Sequence, residues 1–278
     1  MKKIVMASVV SVLSLVLAAP LLADEPATQT NSFGMKFVRV PPGTFTMGSE
    51  EPKCPDDDPK TPVNERDDCR SKTLRANETP AHRVVISKGF WIGQFEVTQA
   101  QWEAVMSTNP SRFKSDKQEE REKLPVENVL WDDVQEFIRQ LNEKEGKQYR
   151  LPTEAEWEYV CRGGKNETFC GGNDPKPLAW FVDNSGMRPQ YIGTKQANGF
   201  KVHDMSGNVW EWVNDWYGRD YYLQSSEADP QGPAEGEQHT IRGGSWGYDM
   251  IFARAANRGG NIAVRRCGCV GFRLVDPE

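Results

Sequence analysis

After Lys165 the sequence never sustains a helical period for as long as three turns, and this limits what the chain can become. Gly, Asn, Asp, Pro and aromatic residues are mixed there, with short strand-like runs at 190–193, 209–213, 239–246 and 270–275. A half-chain of this kind builds neither a helical bundle nor a doubly wound sheet. It builds a turn-rich region whose long loops need disulfides or ions to hold them. Helical signals are confined to the segment before it, so the expectation is an irregular α+β domain. No internal repeat is visible.

At the N-terminus Lys2 and Lys3 precede an apolar run from Ile4 to Leu22, with Ala18, Ala19 and Ala23 ahead of Asp24. A positive start, a short apolar core and small residues before an acidic one read as a secretory signal peptide over 1–23. The alternative is a retained anchor. Residues 24–30 read as a polar leader and 31–278 as the domain. No later segment is apolar enough to cross a bilayer, so the protein is expected in the periplasm or secreted, where disulfides form. The formal charge of −6, with no Lys/Arg-rich run, argues against nucleic acid as a partner.

Within the domain, Phe37-Val-Arg-Val-Pro-Pro-Gly-Thr-Phe-Thr-Met alternates apolar and polar residues around a turn and predicts a hairpin. The stretch 82–97 is strand-like. Thr98 with Gln101, and Thr153 with Glu156, form the capping-box pattern at a helix start, and Asp132 with Gln135 is read the same way. Val134, Phe137, Ile138 and Leu141 recur at helical spacing, and Gly146 and Gly163 mark stops. The polar stretch 50–78 is a surface loop in which a Cys54–Cys69 disulfide would contribute about 3 kcal/mol.

The most specific segment is Asp204-Met-Ser-Gly-Asn-Val-Trp-Glu211. Two carboxylates seven residues apart, a glycine that permits chain reversal and free carbonyls could wrap one hard cation in oxygen ligands. A turn leading into a strand with buried tryptophans is the other reading of the same residues.

Seven motifs together resemble the formylglycine-generating enzyme (sulfatase-modifying factor) family: Phe37-Val-Arg-Val-Pro-Pro-Gly, Gly89-Phe-Trp-Ile-Gly-Gln-Phe-Glu-Val-Thr, Pro125-Val-Glu-Asn-Val-Leu-Trp, Arg150-Leu-Pro-Thr-Glu-Ala-Glu-Trp, Gly207-Asn-Val-Trp-Glu-Trp, Arg242-Gly-Gly-Ser-Trp and Gly271-Phe-Arg-Leu. The resemblance implies a single compact α+β domain related to C-type lectins, with bound Ca2+. It implies that the calcium ligands fall on Asp204, the carbonyls of Gly207 and Val209, and Glu211, with a possible second site at Asn184.

It does not extend to the family's copper chemistry. Formylglycine-generating enzymes use two cysteines shortly after the Arg-Gly-Gly-Ser motif, whereas here that interval reads Gly247-Tyr-Asp-Met-Ile-Phe-Ala253. Soft Cu(I) prefers thiolates, so copper is not expected. The ergothioneine-type branch, with its histidine-bound iron, is excluded by a chain with only 3 His. A third, periplasmic branch lacks the copper cysteines and oxidises the pyoverdine chromophore. By the family pattern Ser245, Trp246, Tyr248, Arg258 and Cys269 are the cleft candidates, while Arg254 is read as structural.

Cys161, Cys170, Cys267 and Cys269 would supply two bridges, with the pairing open because the family partner of Cys161 falls on Ala255. A relocated reactive pair at Cys267 and Cys269 is the alternative. Two functions follow: oxidative tailoring of a peptide or peptide-derived metabolite, or a calcium-stabilised module that binds a peptide or glycan without chemistry.

Overall fold

Strand β2 (Lys36–Val40) buries Phe37, Val38 and Val40 and pairs antiparallel with both β1 (Thr28–Thr30) and β5 (Phe90–Gly93). The C-terminal β10 (Val275–Pro277) closes the other side of β5, giving the order β1-β2-β5-β10. The computed structural model describes residues 26–50, 76–262 and 265–278. The segment 1–23 read as a signal peptide and the expected Cys54–Cys69 bridge lie outside the described residues. The segment read as a polar leader supplies β1 in the described structure.

The hairpin expected at 37–49 does not form. Strand β3 (Gly43–Met47) leaves β2 and pairs instead with β4 (His82–Ile86) as a separate two-stranded sheet. Pro41 and Pro42 have no N–H to donate across a turn. The Tyr159 hydroxyl donates to the Pro41 carbonyl at 3.3 Å, and it lies 2.2 Å from where a side chain on Gly43 would begin. The chain therefore bends around Tyr159 and feeds two sheets.

Helix α1 (Gln99–Met106) and helix α4 (Glu154–Arg162) start at capping boxes on Thr98 and Thr153, as their spacing predicts. A short α2 (Gln118–Arg121) follows α1. Helix α3 (Trp131–Glu145) starts one residue before Asp132, and its cap differs from the expected one. Asp133, not Gln135, reaches back to accept from the Leu130 N–H at 2.9 Å. Its buried stripe is Val134, Phe137, Ile138 and Leu141, and Gly146 terminates it in the left-handed region at φ 64°.

The third sheet has the order β8-β7-β6-β9: β8 (Arg258–Ile262), β7 (Gln238–Arg242), β6 (Trp210–Trp216) and β9 (Val270–Phe272). β6 and β9 run parallel and the other pairs antiparallel. The run at 190–193 is not a strand; its amides serve other loops, Ile192 donating to the Lys123 carbonyl. One core joins α1, α3 and the third sheet through Trp102 stacked on Phe137 and edge-on to Phe272. A second lies under α4 against the first two sheets.

Every residue of α4 is buried, including three glutamates. Each glutamate has an arginine: Glu154 with Arg258, Glu156 with Arg150, and Glu158 with Arg162 and Arg242. Arg254 likewise forks onto buried Glu78 at 2.6 and 2.7 Å, consistent with the structural role read for it. Among the described residues two disulfides are present, Cys161–Cys170 and Cys267–Cys269. Among the described residues no cysteine is free, and no helix is long and apolar enough to cross a membrane.

Candidate functional site

The segment 204–211 is a tight reversal that enters β6. Asp204, Gly207 and Asn208 all have positive φ, at 58°, 81° and 60°. At Gly207 a side chain would begin 2.2 Å from the Trp180 carbonyl, so only glycine fits this approach. The reversal is fixed by Gly207 N–H donating to the Gly243 carbonyl at 2.7 Å and Asn208 N–H to the Trp180 carbonyl at 2.9 Å.

Asp204 and Glu211 come together at this turn with two residues the sequence reading gave no role, Glu96 and Arg273. Arg273 is fully buried and forks onto Glu211 at 2.6 and 2.7 Å, while Trp157 donates to the same carboxylate at 2.8 Å. Glu96 accepts from the Asn208 side chain at 2.6 Å and from the Val209 N–H at 3.2 Å. Asp204 accepts from Gly193 N–H at 2.6 Å through Oδ2, whereas its buried Oδ1 has no protein partner. Glu96 and Arg273 both lie inside motifs noted in the sequence. What the sequence did not show is that they meet across the fold.

Burial drives the Glu96 carboxyl well above its ordinary range, and the charges of Asp204 and Glu211 add to this. Burial likewise raises Asp204 to about 6. Three buried carboxyl groups thus face one guanidinium; bound protons offset their charge, as these shifts indicate, and a cation could replace the protons. The unpartnered Asp204 oxygen and the all-oxygen donor set fit a hard ion such as calcium. Among the described residues no three His, Cys, Asp or Glu side chains converge as a metal-holding group, so such an ion would need backbone carbonyls. Asn184 is elsewhere: its side chain closes a local turn, accepting from Phe181 N–H and donating to the Ala179 carbonyl.

Four of the five cleft candidates lie beside the 204–211 turn. Trp246 N–H donates to the Asn208 carbonyl at 2.8 Å, and its ring N–H donates to the Gly268 carbonyl at 2.9 Å, between Cys267 and Cys269. Ser245 is buried and its hydroxyl has no partner among the described residues. Tyr248 sits edge-on to Trp210 and Phe252 and is exposed, as is Met250. The fifth candidate, Arg258, does not join them. It is buried against Glu154 at 2.6 and 2.7 Å, with its guanidinium 4.0 Å from the Tyr222 ring centroid. Next to Met250 opens a cavity of about 580 Å³ lined by Phe181, Asp183, Asn184 and Lys195.

An irregular α+β domain with a buried carboxylate–arginine centre is the type of scaffold that the sequence motifs imply, although the interval after its Arg-Gly-Gly-Ser turn holds no cysteine. The sequence matches the family described as the sulfatase-modifying factor enzyme 1-like domain over residues 23–277, and the chain belongs to that family. The formylglycine-generating enzyme of Streptomyces coelicolor is 33% identical over 170 residues, covering 55% of this chain and 52% of that protein. The chain therefore matches about half the length of that relative. Among solved structures, Treponema denticola variable protein 1 aligns with a TM-score of 0.76 at 27% identity, covering 91% of this chain and 100% of the other. PvdO from Pseudomonas aeruginosa aligns with a TM-score of 0.73 at 27% identity, covering 92% and 100%.

Proposed function

We propose that this is an exported peptide-binding member of the family, whose cleft recognises its ligand without copper chemistry. One observation carries the reading: Tyr248 and Met250 occupy the interval where the family's copper cysteines fall, both are exposed, at 41% and 45%, and Met250 lines the 580 Å³ cavity. A phenol and a thioether do not replace two thiolates on Cu(I). They do offer an apolar surface to a ligand side chain. Asp183, Asn184 and Lys195 supply polar contacts in the same cavity, which suits a peptide with an apolar anchor and a charged or amide neighbour. Lys195 already covers the Trp180 ring at 3.9 Å, so that face is not open for stacking on a sugar.

In this reading Asp204, the carbonyls of Gly207 and Val209, and the remaining lone pair of Glu211 hold calcium, which neutralises the buried carboxylates and fixes the cleft floor through Asn208 and Trp246. A second reading, oxidative tailoring of a peptide-derived metabolite, is supported by the motifs shared with the pyoverdine-maturing branch and by the likeness to PvdO over 92% of the chain.

A fluorescent peptide library screened against the purified protein tests the choice. Binding that weakens at least tenfold in Met250→Glu, with an unchanged melting temperature, is the expected result. No binding, together with oxygen uptake driven by a peptide-derived metabolite, would favour the second reading instead.

A further inference from the structure

The Cys267–Cys269 disulfide encloses a single residue, Gly268. A cross-link this local removes very little loop-closure entropy from the unfolded chain, because that entropy grows with the length of the loop closed. The backbone here does not need the bond to hold its course. The Cys267 carbonyl accepts from the N–H groups of Asn128 and Val270 at 3.0 and 3.1 Å, the Gly268 carbonyl from the Trp246 ring, and the Cys269 carbonyl from Trp210 N–H at 2.8 Å. All three residues of the loop are thus tied down by hydrogen bonds that survive reduction. The two sulfurs also differ in access: Cys267 is half-buried and Cys269 is buried.

Against this loop lies Glu127, fully buried. Its Oε1 accepts from Phe113 N–H at 2.7 Å and the Arg112 N–H also faces the carboxylate, whereas its buried Oε2 makes no hydrogen bond of ordinary geometry. That oxygen stands 3.1 Å from where a side chain on Gly268 would begin, as does the Arg112 Cδ, so carboxyl and arginine stem both lie against the middle residue of the disulfide loop. The charged groups around Glu127 are the Arg112 and Lys114 side chains, and Arg266, which precedes Cys267, is paired with Asp133 at 2.7 Å. Burial outweighs them and raises the Glu127 carboxyl to about 7.

We propose that Cys267–Cys269 is a thiol–disulfide exchange couple at the rim of the cleft, with Glu127 as its proton donor and acceptor, acting on a peptide dithiol. A thiolate of the peptide attacks the more accessible Cys267 sulfur. The sulfur–sulfur bond breaks, and Cys269 leaves as a thiolate that takes the Glu127 proton. The second peptide thiol, giving its proton back to Glu127, then attacks the peptide's own sulfur in the mixed disulfide and releases Cys267 as a thiolate, which takes from water the proton that the first peptide thiol gave up. The peptide dithiol has lost two electrons and two protons and become a disulfide; Cys267 and Cys269 have gained both and become thiols. The exchange is stoichiometric and needs no other oxidant.

The test uses the purified oxidised protein under anaerobic conditions, with dithiothreitol and a synthetic peptide carrying two cysteines as probes, and maleimide labelling read by peptide mass mapping. Cys267 and Cys269 are expected to be reduced at least tenfold faster than Cys161 and Cys170, with about one equivalent of peptide disulfide formed per protein. The ratio of the exchange rate to that of free oxidised glutathione with the same thiol should change near pH 7, which removes the probe's own titration. In Glu127→Gln that inflection should vanish and the rate fall, while the melting temperature of the oxidised protein holds. If Glu127→Gln fails to fold, the wild-type pH profile alone decides the role of Glu127. Cys267–Cys269 reduced no faster than Cys161–Cys170, or no peptide disulfide formed, would overturn the exchange couple; a pH-independent ratio would overturn the role of Glu127.

Discussion

Replacing Arg273 by Met removes the only guanidinium among Glu96, Asp204 and Glu211 while keeping a long apolar stem in its place. Arg273 donates twice to Glu211, and once each to the carbonyls of Gly93 and His203 at 2.9 Å. Breaking a buried ion pair from one side costs about 3–5 kcal/mol, because the remaining charge is left uncompensated. The two carbonyls that lose donors bring the total to about 5 kcal/mol. For a domain of this size that is a fall in melting temperature of roughly 10–20 °C. The deficit should depend on pH. Asp204 and Glu96 are already raised in the folded protein, and losing Arg273 raises them further, so the folded variant holds protons that the unfolded chain has released. Stability of the variant then falls as pH rises from about 4.5, and the gap to the parent protein is widest near pH 8. Thermal and urea unfolding followed by circular dichroism at pH 5 and pH 8 measures this. A deficit equal at both pH values, or below about 1 kcal/mol, would refute the claim that charge compensation is what Arg273 supplies.

Chelation of calcium should lower the melting temperature of the parent protein and leave Asp204→Ala unaffected; equal sensitivity in a calorimeter would remove the calcium assignment. Burial, then the charge of Glu154, raises Asp215 to about 8, so the folded protein loses stability as pH climbs from about 4 to 8. Asp215→Asn should match the parent near pH 4 and exceed it by up to about 5 kcal/mol above pH 8 in urea titrations. Gly207→Ala should cost at least about 2 kcal/mol, since the new carbon meets the Trp180 carbonyl and the backbone holds a left-handed φ of 81°, and a differential scan will show it.

Local signals in the sequence carried the helices well. Thr98 and Thr153 cap where the side-chain chemistry says they should, and the stripe from Val134 to Leu141 faces the core as its spacing requires. Pairing was harder to read. The alternation on either side of Pro41-Pro42 correctly indicates two strands, yet their partners are set by β5 and β4 and by the Tyr159 hydroxyl, all distant in sequence. The same limit hid the role of Arg273, which lies 62 positions from Glu211. Asp204 and Glu211 were readable because seven residues of one turn bring them together. Glu127 gave no local signal at all: its meaning comes only from the burial of Oε2 against Gly268. Arg258 looked like a cleft residue from its place after the Arg-Gly-Gly-Ser turn, but β8 directs it inward to Glu154.

The glutamates of α4 set an order of events during synthesis. Glu158 and Glu154 find Arg242 and Arg258 only 84 and 104 positions later. Until those arginines leave the ribosome, burying the helix would strand Glu154 without its counter-charge and leave Glu158 with Arg162 alone, so burial of α4 is unfavourable until then. The first two sheets, which use α4 as their floor, must wait with it. A domain built this way is favoured to commit to its fold only once Arg258 has emerged, and a domain unfolded until then is in the condition in which a polypeptide can be threaded through a narrow translocation pore.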